Sequence, residues 1–239
     1  MVLNKRQEQT VELVKAEHRA SVKRIAQHFF VSEMTVRRDL KILEENGYLK
    51  RYNGGAVYNK EFDHLPIESR KLLNTAEKRK LCELARRYLR DNCSVFIDSS
   101  STCLNLVPML ADFKGITLIT NSVQCLPAVG KYHLKCIVAG GDYHEYDRCT
   151  VGVETVEFVR RFNVDVAFFS SGSISDDGII SDSDAPQTAV RRAVLQNSKK
   201  TVVLLERTKQ HQKLLYTLCR RVEVDEIIML SSEEDFKKR

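Results

Sequence analysis

Residues 31–57 read V-S-E-M-T-V-R-R-D-L-K-I-L-E-E-N-G-Y-L-K-R-Y-N-G-G-A-V, and the order of signals in this stretch decides the first part of the fold. Ser32 is a good helix N-cap, and Val36, Leu40 and Leu43 follow four and three apart, the apolar stripe of one helix. With Val36 inward and about 100° per residue, Met34, Arg38 and Lys41 point outward, Arg37 lies at the edge and Thr35 on the other flank. Asp39 is set off this face. Cations and a hydroxyl in the first turns are what a recognition helix offers to base edges and phosphates in the major groove. Asn46-Gly47 predicts the helix stop, and the alternation around Gly54-Gly55 predicts a two-stranded wing with Lys50 and Arg51 on its first arm.

Working upstream, V-K-R-I-A-Q-H-F-F places Val22, Ile25, Ala26 and Phe29 at helical spacing, and an earlier segment carries Val11, Leu13 and Val14 among charges. Only F-F-V-S separates the second pattern from the third, as in a helix-turn-helix. Residues 1–60 hold 12 Lys and Arg against 7 Asp and Glu, whereas residues 61–239 hold 26 against 25, so the excess positive charge points to a polyanion partner for the first quarter.

The motifs V-S-x-x-T-[IV]-R-R-D-L, L-E-x-x-G and R-x-H-G-G-A are met in order here, and on them the segment resembles the DNA-binding domain of DeoR-type transcriptional regulators. Asn53 stands where the family has His; both side chains donate to a phosphate. The expected contacts to a double-stranded DNA operator are Ser32, Met34, Thr35, Arg37, Arg38, Lys41, Lys50, Arg51 and Asn53.

At 239 residues and 43% apolar content the chain can bury one large core or two modest ones. No run of eighteen apolar residues occurs and MVLNKRQEQT lacks the features of a signal peptide, so a cytoplasmic protein with no membrane partner is expected. Seven scattered cysteines without a C-x-x-C pair read as buried free thiols. The six histidines show no metal-ligand or triad spacing and no G-x-S-x-G elbow occurs; neither metal nor cofactor is expected.

Residues 58–75, with Pro66 inside, read as a connector, partly helical near Glu68–Leu73. Beyond them helical patterns (LCELARRYL, LNLVPML, VETVEFVRRF, TAVRRAVLQ) alternate with apolar segments (SVFID, ITLIT, LKCIVAG, DVAFFSS, TVVLLE, EIIML), predicting an α/β domain with a mainly parallel sheet. The expected plan is a winged helix-turn-helix over 1–57, a linker over 58–75 and an α/β effector-sensing domain over 76–239.

Parallel sheets bind ligands beyond the carboxyl ends of their strands. Five segments here end in small, hydroxylic or glycine residues: Asp98-Ser99-Ser100-Ser101-Thr102, Thr120-Asn121-Ser122, Gly140-Gly141-Asp142, Ser170-Ser171-Gly172-Ser173 and Glu206-Arg207-Thr208-Lys209. Hydroxyls of Ser100, Ser101 and Thr102 with helix-start amides suit a phosphate, and Lys209 adds a charge. Asp98, Asp177, Asn121 and Gln187 suit sugar hydroxyls. Tyr143 and His144, after the Gly-Gly turn, are within expected reach of a ligand.

The resemblance extends over this part too, through D-S-G-T-T at Asp98–Thr102, T-N at Thr120-Asn121, G-G at Gly140-Gly141, v-G at Val151-Gly152 and D-x-x-K at Glu206–Lys209. It implies a domain similar to ribose-phosphate isomerase and coenzyme A transferase folds that senses a phosphorylated sugar or related metabolite. The expected effector set is Asp98, Ser99, Ser100, Ser101, Thr102, Thr120, Asn121, Gly140, Gly141, Gly152, Asp177, Gln187 and Lys209. Ser100 replaces a glycine, Ser101 a threonine, Gln187 a glutamate and Glu206 an aspartate, which implies an altered effector or weaker phosphate binding. The function expected is a non-enzymatic regulator, a repressor of a carbohydrate-use operon working as a dimer or tetramer. The alternative is an isomerase-like enzyme fused to a DNA-binding domain, with Asp98 or Asp177 as general base.

Overall fold

The capped helix read from Ser32 is present as α3 (Glu33–Glu45), with the Thr35 amide donating to Ser32 Oγ at 3.2 Å. The computed structural model describes residues 3–17, 19–45, 48–57 and 66–230, which divide into two compact units, Met1–Leu73 and Asn74–Arg239. The expected helix stop at Asn46-Gly47 and the connector residues 58–65 lie outside the described residues.

In the first unit, α1 (Lys5–Glu17), β1 (Arg19–Ser21) and α2 (Val22–Phe29) precede α3, and β2 (Lys50–Tyr52) and β3 (Gly55–Val57) follow it. Val11, Val14, Val22, Ile25, Val36, Leu40, Leu43, Tyr48 and Leu49 form the core, so the helical stripes face one another as their spacing demands. The wing carries a third strand that the sequence did not suggest: β1 pairs antiparallel with β3, giving the order β1-β3-β2. Ser21 caps α2 by accepting from the Arg24 amide, and Phe30 ends it in the left-handed region at φ 53°. The helical part of the connector, α4 (Ile67–Leu72), buries Ile67.

In the second unit α5 (Thr75–Ala85) leads into β4 (Ser94–Ile97), β5 (Thr117–Thr120), α6 (Leu126–Lys131) and β6 (Lys135–Val138). A hairpin of β7 (Asp142–His144) and β8 (Cys149–Val151) precedes α7 (Val153–Val159) and β9 (Val166–Phe169). Then come β10 (Ser173–Ile174), β11 (Ile179–Asp182), α8 (Ala185–Gln196), β12 (Thr201–Leu204), β13 (Tyr216–Arg220) and β14 (Glu226–Ile228). All six apolar segments become strands of one parallel sheet in the order β14-β12-β9-β4-β5-β6. Both faces are covered: Val95, Ile97, Leu118 and Phe168 pack with Leu81 and Leu106, while Phe96, Ile119 and Ala167 pack with Val159, Val190 and Val194.

Two features depart from the sequence reading. LNLVPML is not an α-helix: Cys103–Asp112 runs in 3₁₀ turns around Pro108, which has no N–H to give an α-type bond and whose ring crowds the preceding turn. A small antiparallel sheet, β10-β11-β13, sits beside the main one. Arg192 of α8 covers the edge of β13, donating to the carbonyls of Thr217 and Leu218. All seven cysteines are free thiols, six of them buried. No described helix is long and apolar enough to cross a membrane.

Candidate nucleic-acid interface and ligand crevice

On α3, Met34 is 77% exposed, Arg38 and Lys41 are exposed beside it, and Val36 and Leu40 are buried behind. Asp39 is 4% exposed and faces inward, accepting from Arg6 Nε at 2.7 Å and Gln7 Nε2 at 3.0 Å, which ties the back of the recognition helix to α1. Arg37 lies 3.7 Å from Glu33 and Lys41 3.8 Å from Glu45, both exposed pairs that water and salt screen. Arg51 is held more firmly: its amide and Nε donate to the two oxygens of Glu44 at 2.8 and 2.6 Å, which lowers the Glu44 pKa. Among the described residues Arg38 forms no salt bridge. A hollow of about 360 Å³ between α3 and the wing is lined by Arg37, Arg51 and Asn53 together with Gly54 and Gly55. Ser32 and Thr35 share a 2.9 Å hydroxyl contact at the helix start, and Lys50 is exposed on the wing.

In the second unit the chain steps from β4 through β5 to β6 on one side and from β9 through β12 to β14 on the other. Loops after β4 and β9 therefore diverge, and the crevice between them is the ligand position of such sheets. Asp98, after β4, lies there. Its Oδ2 accepts from Arg191 Nε at 2.9 Å and from the Ser170 amide at 3.3 Å, and its Oδ1 accepts from the Ser100 amide and hydroxyl at 3.1 and 2.5 Å. Arg191, 5% exposed, also donates to Asp182 at 2.8 Å. Burial pulls the pKa of this guanidinium down, but Asp98 and Asp182 outweigh it and the net shift is upward.

The loop expected to cradle a phosphate is partly filled by its own side chains. Ser100 Oγ accepts from the Cys103 amide at 3.2 Å, taking a donor that a glycine would leave to a ligand. Thr102 turns its hydroxyl to Glu206 at 3.0 Å. Among the described residues the amides of Ser101 and Thr102 meet no acceptor. Glu206 is fully buried and takes Asn74 Nδ2 at 2.9 Å, with Lys78 and Lys209 at 3.9 and 3.6 Å. Burial works to raise its pKa, but Lys78 and Lys209 more than offset this and lower it. Lys209, partly exposed, reaches Ser170 Oγ at 3.1 Å.

Gln187, at the start of α8, links the loop after β4 to the β7–β8 hairpin. Its Oε1 accepts from Ser99 at 2.9 Å, while its Nε2 donates to Asp147 at 2.8 Å and Cys149 Sγ at 3.2 Å. Thr120 spends its hydroxyl on the Ile97 carbonyl and Asn121 its Nδ2 on the Thr150 carbonyl, leaving Asn121 Oδ1 and Ser122 Oγ buried without partners. Gly141, at φ 142°, accepts no side chain because a Cβ would lie 2.0 Å from Thr155 Oγ1. Gly140 and Gly141 line a separate cavity of about 600 Å³ with Asp142, Glu154 and Phe158, and Gly152, at φ 96°, faces Asp142.

Asp98, Ser100 and Lys209 are thus joined by hydrogen bonds, directly or through Ser170, Thr102 meets Lys209 through Glu206, and Ser99 and Gln187 form a pair of their own. Asp177 stands apart, on the exposed turn between β10 and β11, where its carboxylate accepts from Ser175. Sequence reasoning passed over Arg191, Asp182, Lys78, Asp147 and Asp184, all polar groups of the crevice wall.

A basic winged helix on one unit and a polar crevice at the switch point of an α/β sheet on the other define a ligand-controlled DNA-binding regulator. Residues 6–62 match the family model of the DeoR-like helix-turn-helix domain and residues 73–230 that of the DeoR C terminal sensor domain; the chain belongs to the DeoR family of transcriptional regulators. It is 31% identical over 226 residues to the transcriptional repressor AccR of Agrobacterium fabrum, covering 93% of this chain and 88% of that protein. To the glycerol-3-phosphate regulon repressor of Escherichia coli it is 26% identical over 200 residues, 83% and 79% of the two chains. Among solved structures, eIF2B delta from Chaetomium thermophilum shares the fold at TM-score 0.50 and 10% identity, over 83% of this chain and 63% of that one.

Proposed function

We propose that this regulator is a repressor of a carbohydrate-use operon, acts as a dimer or tetramer, and is controlled by a phosphorylated sugar or related metabolite in the crevice. The observation that carries the reading is the crevice floor: Lys209 beside Ser170, with the amides of Ser101 and Thr102 unspent and Asn121 Oδ1 and Ser122 Oγ unpartnered. Cation and amides suit the phosphate; the amide oxygen and hydroxyl suit sugar hydroxyls. Both relatives above are repressors, and one is named for a phosphorylated polyol. Exposed Val153, Leu215 and Val222 offer apolar surface for self-association.

The isomerase alternative needs a free general base. Both oxygens of Asp98 accept hydrogen bonds and Asp177 lies on the exposed turn between β10 and β11, which favours the regulator reading over the isomerase one. Control then requires only that the metabolite bind one quaternary state better than another, changing the spacing of the two recognition helices. The test is a thermal-shift screen of the whole protein against sugar phosphates and the matching free sugars, followed by DNA binding to an operator selected from random duplexes. Lys209→Ala is expected to lose the effector response and keep DNA affinity; Arg38→Ala is expected to weaken DNA binding and reduce its log–log salt slope by about 1. A response retained by Lys209→Ala, or a salt slope unchanged in Arg38→Ala, refutes the corresponding assignment.

A further inference from the structure

One cluster at the crevice mouth is not used by the reading above. His144 ends β7, Asp147 sits in the β7–β8 turn and Asp184 is the N-cap of α8. Their positions in sequence gave no ligand spacing, yet the fold brings one ligand atom of each within 4.8 Å of the other two. His144 Nδ1 lies 3.4 Å from Asp147 Oδ2, and Nε2 lies 3.5 Å from Asp184 Oδ2. Both separations exceed a normal hydrogen bond, and Nδ1 is buried with no hydrogen-bond partner. A single ion takes only one ring nitrogen, so the candidate shell is one nitrogen of His144 with one oxygen of each carboxylate, atoms that lie within 4.8 Å of one another.

The carboxylates are also oriented from behind. Gln187 reaches both, its Nε2 donating to Asp147 Oδ2 at 2.8 Å and its amide to Asp184 Oδ1 at 2.7 Å. Outer partners of this kind hold metal ligands in register. A glutamate at 187 would set a third carboxylate against Asp147; the glutamine instead supplies the donor. Two carboxylates gathered round one imidazole leave negative charge that a dication would neutralise.

We propose that His144, Asp147 and Asp184 form a binding site for a divalent first-row transition cation, Mn²⁺, Fe²⁺, Co²⁺ or Zn²⁺, whose remaining positions face water or an oxygen of a crevice ligand. One imidazole and two carboxylates favour these ions over softer ones that choose thiolates. The site goes beyond the sugar-phosphate reading and does not depend on it.

The test uses the full chain stripped with a chelator and titrated with Co²⁺, followed by visible absorption, with Mn²⁺ calorimetry in parallel. The expected result is one equivalent per chain, with affinity falling at least about tenfold in His144→Gln and in Asp184→Asn. Asp184→Asn retains an oxygen to cap α8, and equal thermal midpoints of the metal-free proteins show that each variant is folded. A metal-induced rise in midpoint that His144→Gln abolishes supports the site. No uptake overturns it; so does uptake unchanged in both variants, which would mean scattered surface carboxylates, and so does a thiolate charge-transfer band, which would put the metal on cysteine.

Discussion

Arg191 is the residue whose loss is expected to damage the sensor unit most. Its guanidinium lies between Asp98 and Asp182 at 2.9 and 2.8 Å, and the side chains are 6%, 2% and 11% exposed. Arg191→Met keeps much of the volume but strands two carboxylates away from water. Breaking a buried pair in this way costs about 3–5 kcal/mol. For a unit of this size that corresponds to a midpoint lower by roughly 6–20 °C. The assay is urea and thermal unfolding followed by circular dichroism, taking the transition of the sensor unit by itself because the chain has two units. Adding Asp98→Asn to Arg191→Met is expected to recover part of the loss, since the pair is coupled. A loss below about 1 kcal/mol, the scale of exposed pairs, would refute the reasoning, as would strict additivity in the double variant.

Three further outcomes are expected. Phe30 is 95% exposed in the left-handed region at φ 53°, so Phe30→Asn should raise the stability of the first unit by about 1 kcal/mol, and a lower denaturation midpoint would contradict the assigned strain. Ser100→Gly removes the hydroxyl's bonds with Asp98 Oδ1 and the Cys103 amide, costing about 1–2 kcal/mol, while freeing that amide; a larger thermal shift with inorganic phosphate is expected, and an unchanged one would deny the loop its anion role. Glu206 has its folded pKa lowered, so its contribution is present above the ordinary glutamate range and is lost as pH falls through the lower folded value. Glu206→Gln should flatten the acid limb of stability against pH, and an acid limb of unchanged steepness would show that Lys78 and Lys209 do not hold it ionised.

The reach of sequence reasoning followed the range of the forces involved. The outward cations of α3 needed only helical geometry over ten residues, and Met34, Arg38 and Lys41 stand where the wheel puts them. The six parallel strands were legible because each is a short, largely apolar run, fully buried in the central Val166–Phe169 and more exposed in the edge strand Lys135–Val138. Strands of two or three residues, β7, β8 and β10, are too short to show a period, and Pro108 interrupts a pattern whose apolar spacing alone looks helical. Asp177 read as a crevice group because the turn holding it belongs to that unseen antiparallel sheet. Arg191 sits in T-A-V-R-R-A-V, where a cation between apolar residues reads as a solvent-facing stripe. Only the sheet order brings Asp98, 93 residues away, against it. Gln187 was visible as a substitution, but its bonds to Ser99 and Asp147 depend on contacts 88 and 40 residues apart.

The clasp of Asp39 by Arg6 and Gln7 has a meaning for DNA reading that neither helix shows alone. A helix lying in a groove is free to roll about its long axis, and on the contacts proposed for α3 every degree of roll would swing Arg38 and Met34 across the edges of the bases. The inward carboxylate acts as a peg in a socket built by α1, fixing the rotational phase of α3 before any DNA arrives. The aim of the reading head is therefore set at a residue more than thirty positions upstream and turned away from the operator-facing side.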